Sequence, residues 1–338
     1  MSFINQARTM ERFMELRGKS SESYREALKY NFISIEKFLQ EHYQKSLSEI
    51  IEDLKHVKDI QTTAEDLIQD YINWAEDTGL ATNSVRNYSS TLANFLKWRR
   101  LGFDLEELRK NLVMKKEIET EAYPMTIKEI RSILDVSKIE DKTKYLIMLS
   151  GGLRIREVLG IRKRDIETDF ERYVIHVNPN YAKGKKARST IISFEAMEYL
   201  DKIMRRKGQD DFIFEHNKSD IRLSTINEAN LFSKIRKRAG LDEQYEQKSR
   251  HKITTHSFRA FFISQFEKTS SGFGHSLSGH GRYMKQYERF TIDEKIEMYL
   301  KTESHLLVWS KSEQTIDNSK TERQLSEVKN LLKVALAD

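Results

Sequence analysis

Residues 254–262 read Thr-Thr-His-Ser-Phe-Arg-Ala-Phe-Phe, which places a histidine, His256, three positions before an arginine, Arg259. On a helix, residues three apart lie on one face about one turn from each other, so a single anion can touch both side chains. Alone, such a pair is common on the polar face of an ordinary helix. The other polar motifs of the chain decide between these two interpretations.

Further motifs accompany this pair on both sides. Upstream, residues 151–154 read Gly-Gly-Leu-Arg before an apolar helical stretch, and a basic segment follows around Lys183. Downstream come Gly279-His280 and Tyr287. Arginine, lysine, histidine and tyrosine are side chains that hold a phosphate, move protons and attack phosphorus. Their presence in this order indicates an enzyme that breaks and rejoins phosphodiester bonds.

The composition bounds the class of protein. The chain has 338 residues, 38% of them hydrophobic, with 17 Phe and 14 Tyr, which suffices for one very large domain or two ordinary ones. The formal net charge of +6 fits a polyanionic partner bound through local basic surfaces. The absence of cysteine excludes disulfides and thiolate metal sites. Because there is neither an apolar run of 18 residues nor a signal peptide, we expect a soluble, intracellular protein without a membrane partner.

Pro124, one of the two prolines of the chain, helps to place the domain boundary. Pro124 follows a polar segment rich in Lys and Glu and precedes a predicted helix start, so we predict a linker there. The predicted organisation is a helical domain over residues 1–112, a linker over 113–124, a second domain over 125–310 and a C-terminal tail over 311–338. The tail is predicted to be helical because Leu325, Val328, Leu332 and Ala335 recur at helical spacing.

Apolar residues at helical spacing predict three amphipathic helices in the first domain. One covers residues 21–40, with Tyr24 at the start of its apolar face. The next begins near Thr62, with a capping box to Glu65, and stops at Gly79; the third carries the apolar residues of 85–96. The apolar faces are interpreted as core. The polar faces are predicted to meet phosphates through four basic residues, namely Arg86, Lys97, Arg99 and Arg100.

The second domain is predicted to mix helices with a small sheet. Thr126 and Glu129 have the spacing of a capping box, which predicts a helix start. Residues 173–177 and 189–193 are two short runs rich in β-branched residues, and Gly184 lies between them, so they predict a β-hairpin. The basic residues between these runs are predicted to face an anion, and they are Lys183, Lys185, Lys186 and Arg188. The fold class is therefore mainly α with a small β-sheet.

These motifs give the chain a resemblance to the tyrosine recombinases, the phage integrase family, and within them to the archaeal-type integrases. The resemblance covers nearly the whole chain. Residues 79–96 are similar to the family's helical core-binding domain, and the second domain is similar to its α+β catalytic domain. Each motif is short, but five motifs in the family's order at plausible separations are specific.

The resemblance assigns catalytic roles to six residues. Carried over one by one, they are Arg154, Lys183, His256, Arg259, His280 and Tyr287, and Glu157 matches an acid that supports the site. In the reaction it implies, the two arginines stabilise the charge that develops on two non-bridging phosphate oxygens. The tyrosine attacks phosphorus to form a 3′-phosphotyrosine, and His256 assists the loss of its proton. The lysine donates a proton to the leaving 5′-oxygen, and His280 hydrogen-bonds a non-bridging oxygen.

Three of these positions have rivals in the sequence. Tyr283 lies four residues before Tyr287, on the same face of a helix, and is the rival nucleophile. His275 belongs to a second Gly-His pair and is the rival of His280, although its shorter distance from the preceding motif argues against it. The general acid has three candidates, namely Lys183, Lys185 and Lys186.

The function implied by the resemblance is site-specific DNA recombination, as by the integrase of a mobile element. Such an enzyme acts on double-stranded DNA that carries a specific attachment site, passes through a four-way junction and assembles as a homotetramer. It needs neither a metal nor another cofactor, it is cytoplasmic and associated with the nucleoid, and its tail docks on a neighbouring protomer. Two alternatives stay open: a type IB topoisomerase-like enzyme that relaxes DNA, and a catalytically inactive DNA-binding relative.

Overall fold

The computed structural model describes residues 8–19, 21–116, 122–214, 221–246, 250–280 and 289–309. Over these ranges the chain is mainly helical and contains one three-stranded antiparallel sheet, which confirms the predicted fold class. The chain divides into two compact units, residues 1–119 and 120–338. The division falls within the range predicted as a linker. The predicted C-terminal tail, residues 311–338, lies outside the described residues.

The first unit is a set of helices packed around aromatic side chains. Its described helices are α1 (Met10–Gly18), α2 (Glu22–Tyr43), α3 (Leu47–Leu54), α4 (Ile60–Asp77), α5 (Thr82–Trp98) and α6 (Leu105–Asn111). Phe13, Phe32 and Phe95 are buried and meet edge to face, with ring centroids 5.2 to 6.0 Å apart. The predicted apolar faces are thus core, except at Tyr24, which is exposed.

The start of α4 differs from the prediction. The helix begins at Ile60, and the carboxylate of Asp59 accepts a hydrogen bond of 3.1 Å from the backbone N–H of Thr62. The predicted capping box of Thr62 with Glu65 is therefore wrong. Asp59 takes the capping position because its negative charge also interacts favourably with the positive end of the helix.

The second unit surrounds its small sheet with helices. Its described elements are α7 (Ile127–Asp135), α8 (Ile139–Gly151), α9 (Ile155–Leu159), a 3-10 turn (Lys163–Asp165), β1 (Ile166–Glu167), β2 (Val174–Val177), β3 (Arg188–Ile191), α10 (Phe194–Met204), α11 (Ile221–Arg238), α12 (Thr255–Glu267), α13 (Phe273–Ser278) and α14 (Ile292–Glu303). The predicted capping box at Thr126 is confirmed, since its hydroxyl and the Glu129 carboxylate cap each other's backbone N–H. The sheet order is β1-β2-β3, and Val177 pairs with Arg188 next to the hairpin loop.

The centre of this unit is the packing of α12 against α8. Tyr145 of α8 stacks on Phe258 of α12 with ring centroids 5.2 Å apart and planes within 6°. Gly152 ends α8 in a left-handed conformation, with φ of +62°, and a Cβ there would lie 2.5 Å from the ring of Phe262. Only glycine meets both demands. The turn that carries Arg154 is thereby held against the helix that carries Arg259.

Candidate active site

Arg154 lies at the N-terminus of α9, directly after the Gly152 turn. Its backbone N–H donates 2.8 Å to Oε2 of Glu157, and its guanidinium lies 3.2 Å from Oε1 of the same carboxylate. About a quarter of the Arg154 side chain stays exposed, 27%, whereas that of Glu157 is fully buried. The buried Glu157 carboxylate therefore fixes the position of Arg154 from the protein interior, and part of the guanidinium remains accessible to a ligand.

Glu157 also receives a second arginine. Arg188, the first residue of β3, donates from both terminal nitrogens, at 3.0 Å to Oε1 and 2.7 Å to Oε2, and its Nε donates 2.9 Å to the carbonyl of Leu277. Burial opposes ionisation of Glu157, but the hydrogen bonds and charge of Arg188, and then those of Arg154, outweigh it, and the pKa lies below its ordinary value. The site therefore contains a buried carboxylate shared between two arginines.

This placement of Arg188 differs from the expected one among the exposed basic residues of the hairpin. Its side chain is only 5% exposed. Gly279 makes room for it, because a Cβ on that residue would lie 2.9 Å from the guanidinium carbon. Sequence reasoning missed its supporting role, and the signal that could have found it is its position as the first β-strand residue after the loop.

Arg259 is the most deeply buried charge of the site, with 1% of the residue exposed. Its Nη1 donates to the backbone carbonyls of Gly152 and Ser278, which end α8 and α13. Both helix ends carry partial negative charge, which stabilises the buried cation. Burial, and then the charge of Arg154, lowers the pKa of Arg259 to about 9, so the guanidinium stays charged at neutral pH.

The second terminal nitrogen of Arg259, Nη2, is buried without a hydrogen-bond partner among the described residues. A charged donor left unsatisfied inside a protein is costly. An anionic oxygen is the group that would satisfy it, and the neighbouring Arg154 would meet another oxygen of the same anion. The two arginines thus have the chemistry of a site for phosphate oxygens.

Two histidines lie within the field of these arginines. Desolvation first, and then the charges of Arg259 and Arg154, lowers the pKa of His256. The same causes, with a contribution from His275, lower the pKa of His280 to about 4. Each imidazole alone is therefore neutral at pH 7, and a neutral imidazole can accept a proton.

His280 and His275, expected as rivals, are in contact. Their Nδ1 atoms share a hydrogen bond, and their ring centroids lie 4.7 Å apart. On the other side of the His275 ring, Nε2 lies 3.6 Å from Oε1 of Glu267. Sequence reasoning missed the contacts among Glu267, His275 and His280 because the turn between α12 and α13 brings the three side chains together.

The predicted hairpin is confirmed, with β2 and β3 joined by residues 178–187. Gly184 has a φ of +78°, and Lys183, Lys185 and Lys186 are all exposed in this loop. The backbone N–H of Lys185 donates 3.1 Å to the carbonyl of Ala182, and no hydrogen bond or ion pair joins the side chains of the three lysines to other described residues. The choice among them as general acid stays a prediction.

The two candidate nucleophiles, Tyr283 and Tyr287, lie outside the described residues, which stop at 280 and resume at 289. The role of Tyr287 stays a prediction.

The four basic residues of the first unit that are predicted to meet phosphates lie on or near α5. Arg86 and Arg100 are exposed, and Arg86 donates 2.9 Å to the side chain of Asn83. Arg99 lies 3.9 Å from Glu52, while Lys97 donates to the carbonyl of Phe103. Lys97 thus has a local structural partner, and the predicted phosphate contacts of all four residues stay predictions.

Two protein-family models match this sequence. The phage integrase family matches residues 123–271, and the N-terminal SAM-like domain of phage integrases matches residues 30–101. The chain belongs to the phage integrase family, the tyrosine recombinases. The matched ranges include Arg154, Lys183, His256 and Arg259 of this integrase-family chain, whereas His280 and Tyr287 lie beyond them.

Several proteins are similar in sequence to this integrase-family chain. The tyrosine recombinase XerA of Pyrococcus furiosus is 24% identical over 250 residues, which cover 72% of this chain and 77% of XerA. Transposase A from transposon Tn554 of Staphylococcus aureus is 28% identical over 206 residues, which cover 57% of this chain and 55% of the transposase. The similarity to XerA fits the archaeal-type resemblance.

Solved structures of the family share the fold. A lambda integrase dimer bound to a COC′ core site superposes with a TM-score of 0.56 at 17% identity, covering 84% of this chain and 97% of the integrase chain. The Tn1549 transposon integrase in complex with transposon right end DNA gives 0.55 at 14% identity, covering 85% and 96%. In the part of the chain that the structure describes, no helix is long and apolar enough to cross a membrane.

Proposed function

We propose that this protein is a site-specific DNA recombinase that cuts and rejoins DNA strands through a covalent 3′-phosphotyrosine. The single observation that carries the proposal is the buried Nη2 of Arg259, which has no hydrogen-bond partner among the described residues, beside the partly exposed guanidinium of Arg154. Two fixed guanidiniums suit the charge that develops on the non-bridging oxygens when a nucleophile attacks phosphorus.

In the proposed reaction, the phenolic oxygen of Tyr287 attacks the scissile phosphorus. The phenolic proton passes to His256, whose lowered pKa keeps the imidazole neutral and able to accept it. The bond from phosphorus to the 5′-oxygen breaks, and that oxygen takes a proton from Lys183 on the exposed hairpin loop. The products are a 3′-phosphotyrosine and a free 5′-hydroxyl, so the bond energy is kept and no ATP is consumed.

Rejoining reverses these steps with a 5′-hydroxyl from a second DNA duplex. Two successive exchanges pass through a four-way junction, which requires four active sites and hence a homotetramer on two attachment sites. The names of the similar proteins, a transposase and the integrases of lambda and of a transposon, support a mobile element as the source of the substrate. We propose that the basic residues of α5 contribute phosphate contacts in the first unit.

A DNA substrate with a nick next to the scissile phosphate tests this function. Cleavage releases a short fragment, so the covalent complex cannot be resealed and accumulates. We expect trapping by the wild type and by Tyr283→Phe, and none by Tyr287→Phe. Trapping by Tyr287→Phe would show that the nucleophile is another residue, and no trapping by the wild type would favour an inactive DNA-binding relative.

A second measurement separates recombination from relaxation. Two DNA molecules that each carry the attachment site should yield exchanged products, and a four-way junction should accumulate when the second exchange is blocked. Relaxed plasmid without exchanged products would favour a topoisomerase-like enzyme and contradict the proposal.

A further inference from the structure

The three side chains that extend from Glu267 through His275 to His280 form a chain that ends at the arginine site. We refer to these residues as the acid–histidine–histidine chain. The carboxylate of Glu267 is itself fixed, since Oε1 accepts 2.9 Å from the backbone N–H of Gly272 and Oε2 accepts 3.0 Å from the hydroxyl of Ser271. These hydrogen bonds keep the carboxylate ionised, and the pKa of Glu267 lies below its ordinary value.

The backbone fixes the two rings relative to each other as well. The N–H of His280 donates 2.9 Å to the carbonyl of His275, which closes the end of α13. Gly279 between them adopts a φ of +86°, and this turn brings the second ring back over the first. The Nδ1–Nδ1 hydrogen bond is therefore built into the end of the helix.

This arrangement restricts where protons can lie. One of the two Nδ1 atoms must carry the shared proton, and Nε2 of His275 carries its own when it faces the Glu267 carboxylate. In the neutral pair, Nε2 of His280 then has no proton and repels a phosphate oxygen. One more proton on the pair converts this nitrogen into an N–H donor.

We propose that His275, whose Nε2 lies 3.6 Å from the Glu267 carboxylate, is a positioning residue that lets the two histidines share one added proton and so presents His280 Nε2–H to the scissile phosphate. This inference rests on the proposed function, because it needs a phosphate in the site. The anionic Glu267 at one end and the anionic phosphate at the other both stabilise the single positive charge of the pair.

The surrounding charges explain why His280 needs this partner. Desolvation first, and then the charges of Arg259, His275, Arg154 and His256, lower the pKa of His280 and disfavour a positive charge on that ring. Because a charge on His275 is among these causes, the pair takes up one proton between its two rings and not two. Arg188 packs over Gly279 from β3. Among the described groups, Glu267 is the carboxylate that approaches the pair, and it does so through His275.

The test measures single-turnover cleavage of the nicked DNA between pH 5.5 and 9, with wild type, His275→Gln and Glu267→Gln. A misplacement of about 1 Å in an active site can cost about a hundredfold in rate, and the loss of one positioning contact is expected to cost less. We expect the cleavage rate of His275→Gln to fall by about tenfold with unchanged DNA affinity. The protonated pair is lost as pH rises, so Glu267→Gln should move that falling limb of the rate to lower pH by about half a unit to one unit.

The matched control is His251→Gln. His251 is a partly buried histidine of the same unit that lies 3.4 Å from a carboxylate of Asp242, with side-chain exposures close to those of the His275–Glu267 pair. It should leave both the cleavage rate and its pH profile unchanged. A lower thermal midpoint with normal cleavage by folded His275→Gln would indicate a purely structural role.

Wild-type rates and profiles in both His275→Gln and Glu267→Gln would overturn the inference. If one variant fails to fold, the pH profile of the other decides. A shift to lower pH supports the role of the acid–histidine–histidine chain, and an unmoved profile contradicts it. A wild type that cleaves nothing would instead contradict the proposed function, so the two failures are distinct.

Discussion

Arg188 and Glu157 form a two-pronged ion pair in the interior of the second unit, with N–O distances of 3.0 and 2.7 Å. The pair joins the first residue of β3 to the helix that follows Arg154. Since the same carboxylate also binds Arg154, the sheet and the arginine that we propose contacts the phosphate are coupled through one side chain. This relationship predicts that damage to the pair reaches catalysis through Arg154.

Glu157→Gln is predicted to impair both stability and cleavage. The neutral amide leaves two arginines without their countercharge, and breaking a buried pair commonly costs about 3–5 kcal/mol. We expect a loss of that order in the free energy of unfolding by urea, and single-turnover cleavage lower by at least about tenfold in the protein that remains folded, because Arg154 is misplaced.

The control for this variant is Glu303→Gln. Glu303 forms a comparable buried pair with Arg172, at 2.7 Å for both contacts, through residues that do not contact Arg154. It should lose similar stability but cleave normally when folded. Equal losses of cleavage in the two variants would mean that the Glu157 effect reports stability alone.

Arg259→Lys is predicted to lose cleavage while retaining DNA binding. An ammonium cannot hold the carbonyls of Gly152 and Ser278 and also present a second nitrogen to a phosphate oxygen in the same plane. Removing one such donor costs about a hundred- to a thousandfold in rate. The covalent-trapping rate and a DNA-binding isotherm measure the two effects separately, and a cleavage rate within threefold of wild type would contradict the assignment, on the scale of about 0.6 kcal/mol.

Gly152→Ala is predicted to unfold or misplace the site, with Gly184→Ala as its control. Both glycines have positive φ, but a Cβ at Gly152 meets the ring of Phe262, whereas at Gly184 it meets nothing within 4 Å. We expect Gly184→Ala to cost about 1 kcal/mol and Gly152→Ala clearly more, because strain and overpacking add. Urea unfolding measures the difference, and equal losses would refute the packing argument.

Glu195 is predicted to make the stability of the second unit depend on pH. Its buried carboxylate accepts hydrogen bonds from the backbone N–H groups of Val308 and Trp309, at 2.8 and 2.9 Å. Burial nevertheless outweighs these bonds and raises the pKa of Glu195 to about 7, above the ordinary value of 4.5.

The sign of the effect follows from proton uptake. Between about pH 4.5 and 7 the folded state holds the Glu195 proton and the unfolded state does not, so this contribution to stability is present below that window and is lost as pH rises through it. The loss is at most about 3 kcal/mol. Glu195→Gln should remove this pH dependence. The exposed Glu198→Gln should retain most of it, because desolvation raises the pKa of Glu195 more than the charge of Glu198 does. A wild-type slope in Glu195→Gln would contradict the assignment.

The sequence predicted much of the fold because its signals are local. The Thr126 capping box, the two β-rich runs on either side of Gly184, and the apolar faces of α2 and α5 each depend on residues close in the chain. The predicted capping box at Thr62 is wrong because Asp59, three residues earlier, caps the helix instead.

The site was only partly predictable for the opposite reason. The arginines and His256 follow from motifs, but the partnership of Arg188 with Glu157 joins residues 31 positions apart. The sequence presents His275 and His280 as rivals because both belong to Gly-His pairs and the motif has one such histidine. Their contact depends on the turn at Gly279, which only the folded chain reveals.

The most direct test of the central claim is to identify the residue that becomes linked to DNA. The wild type is trapped on the nicked substrate, the complex is digested with protease and nuclease, and the nucleotide-bearing peptide is sequenced by mass spectrometry. We predict a single adduct on Tyr287 through a 3′-phosphate. An adduct on Tyr283 or on any other residue, or a 5′-phosphate linkage, would contradict the account.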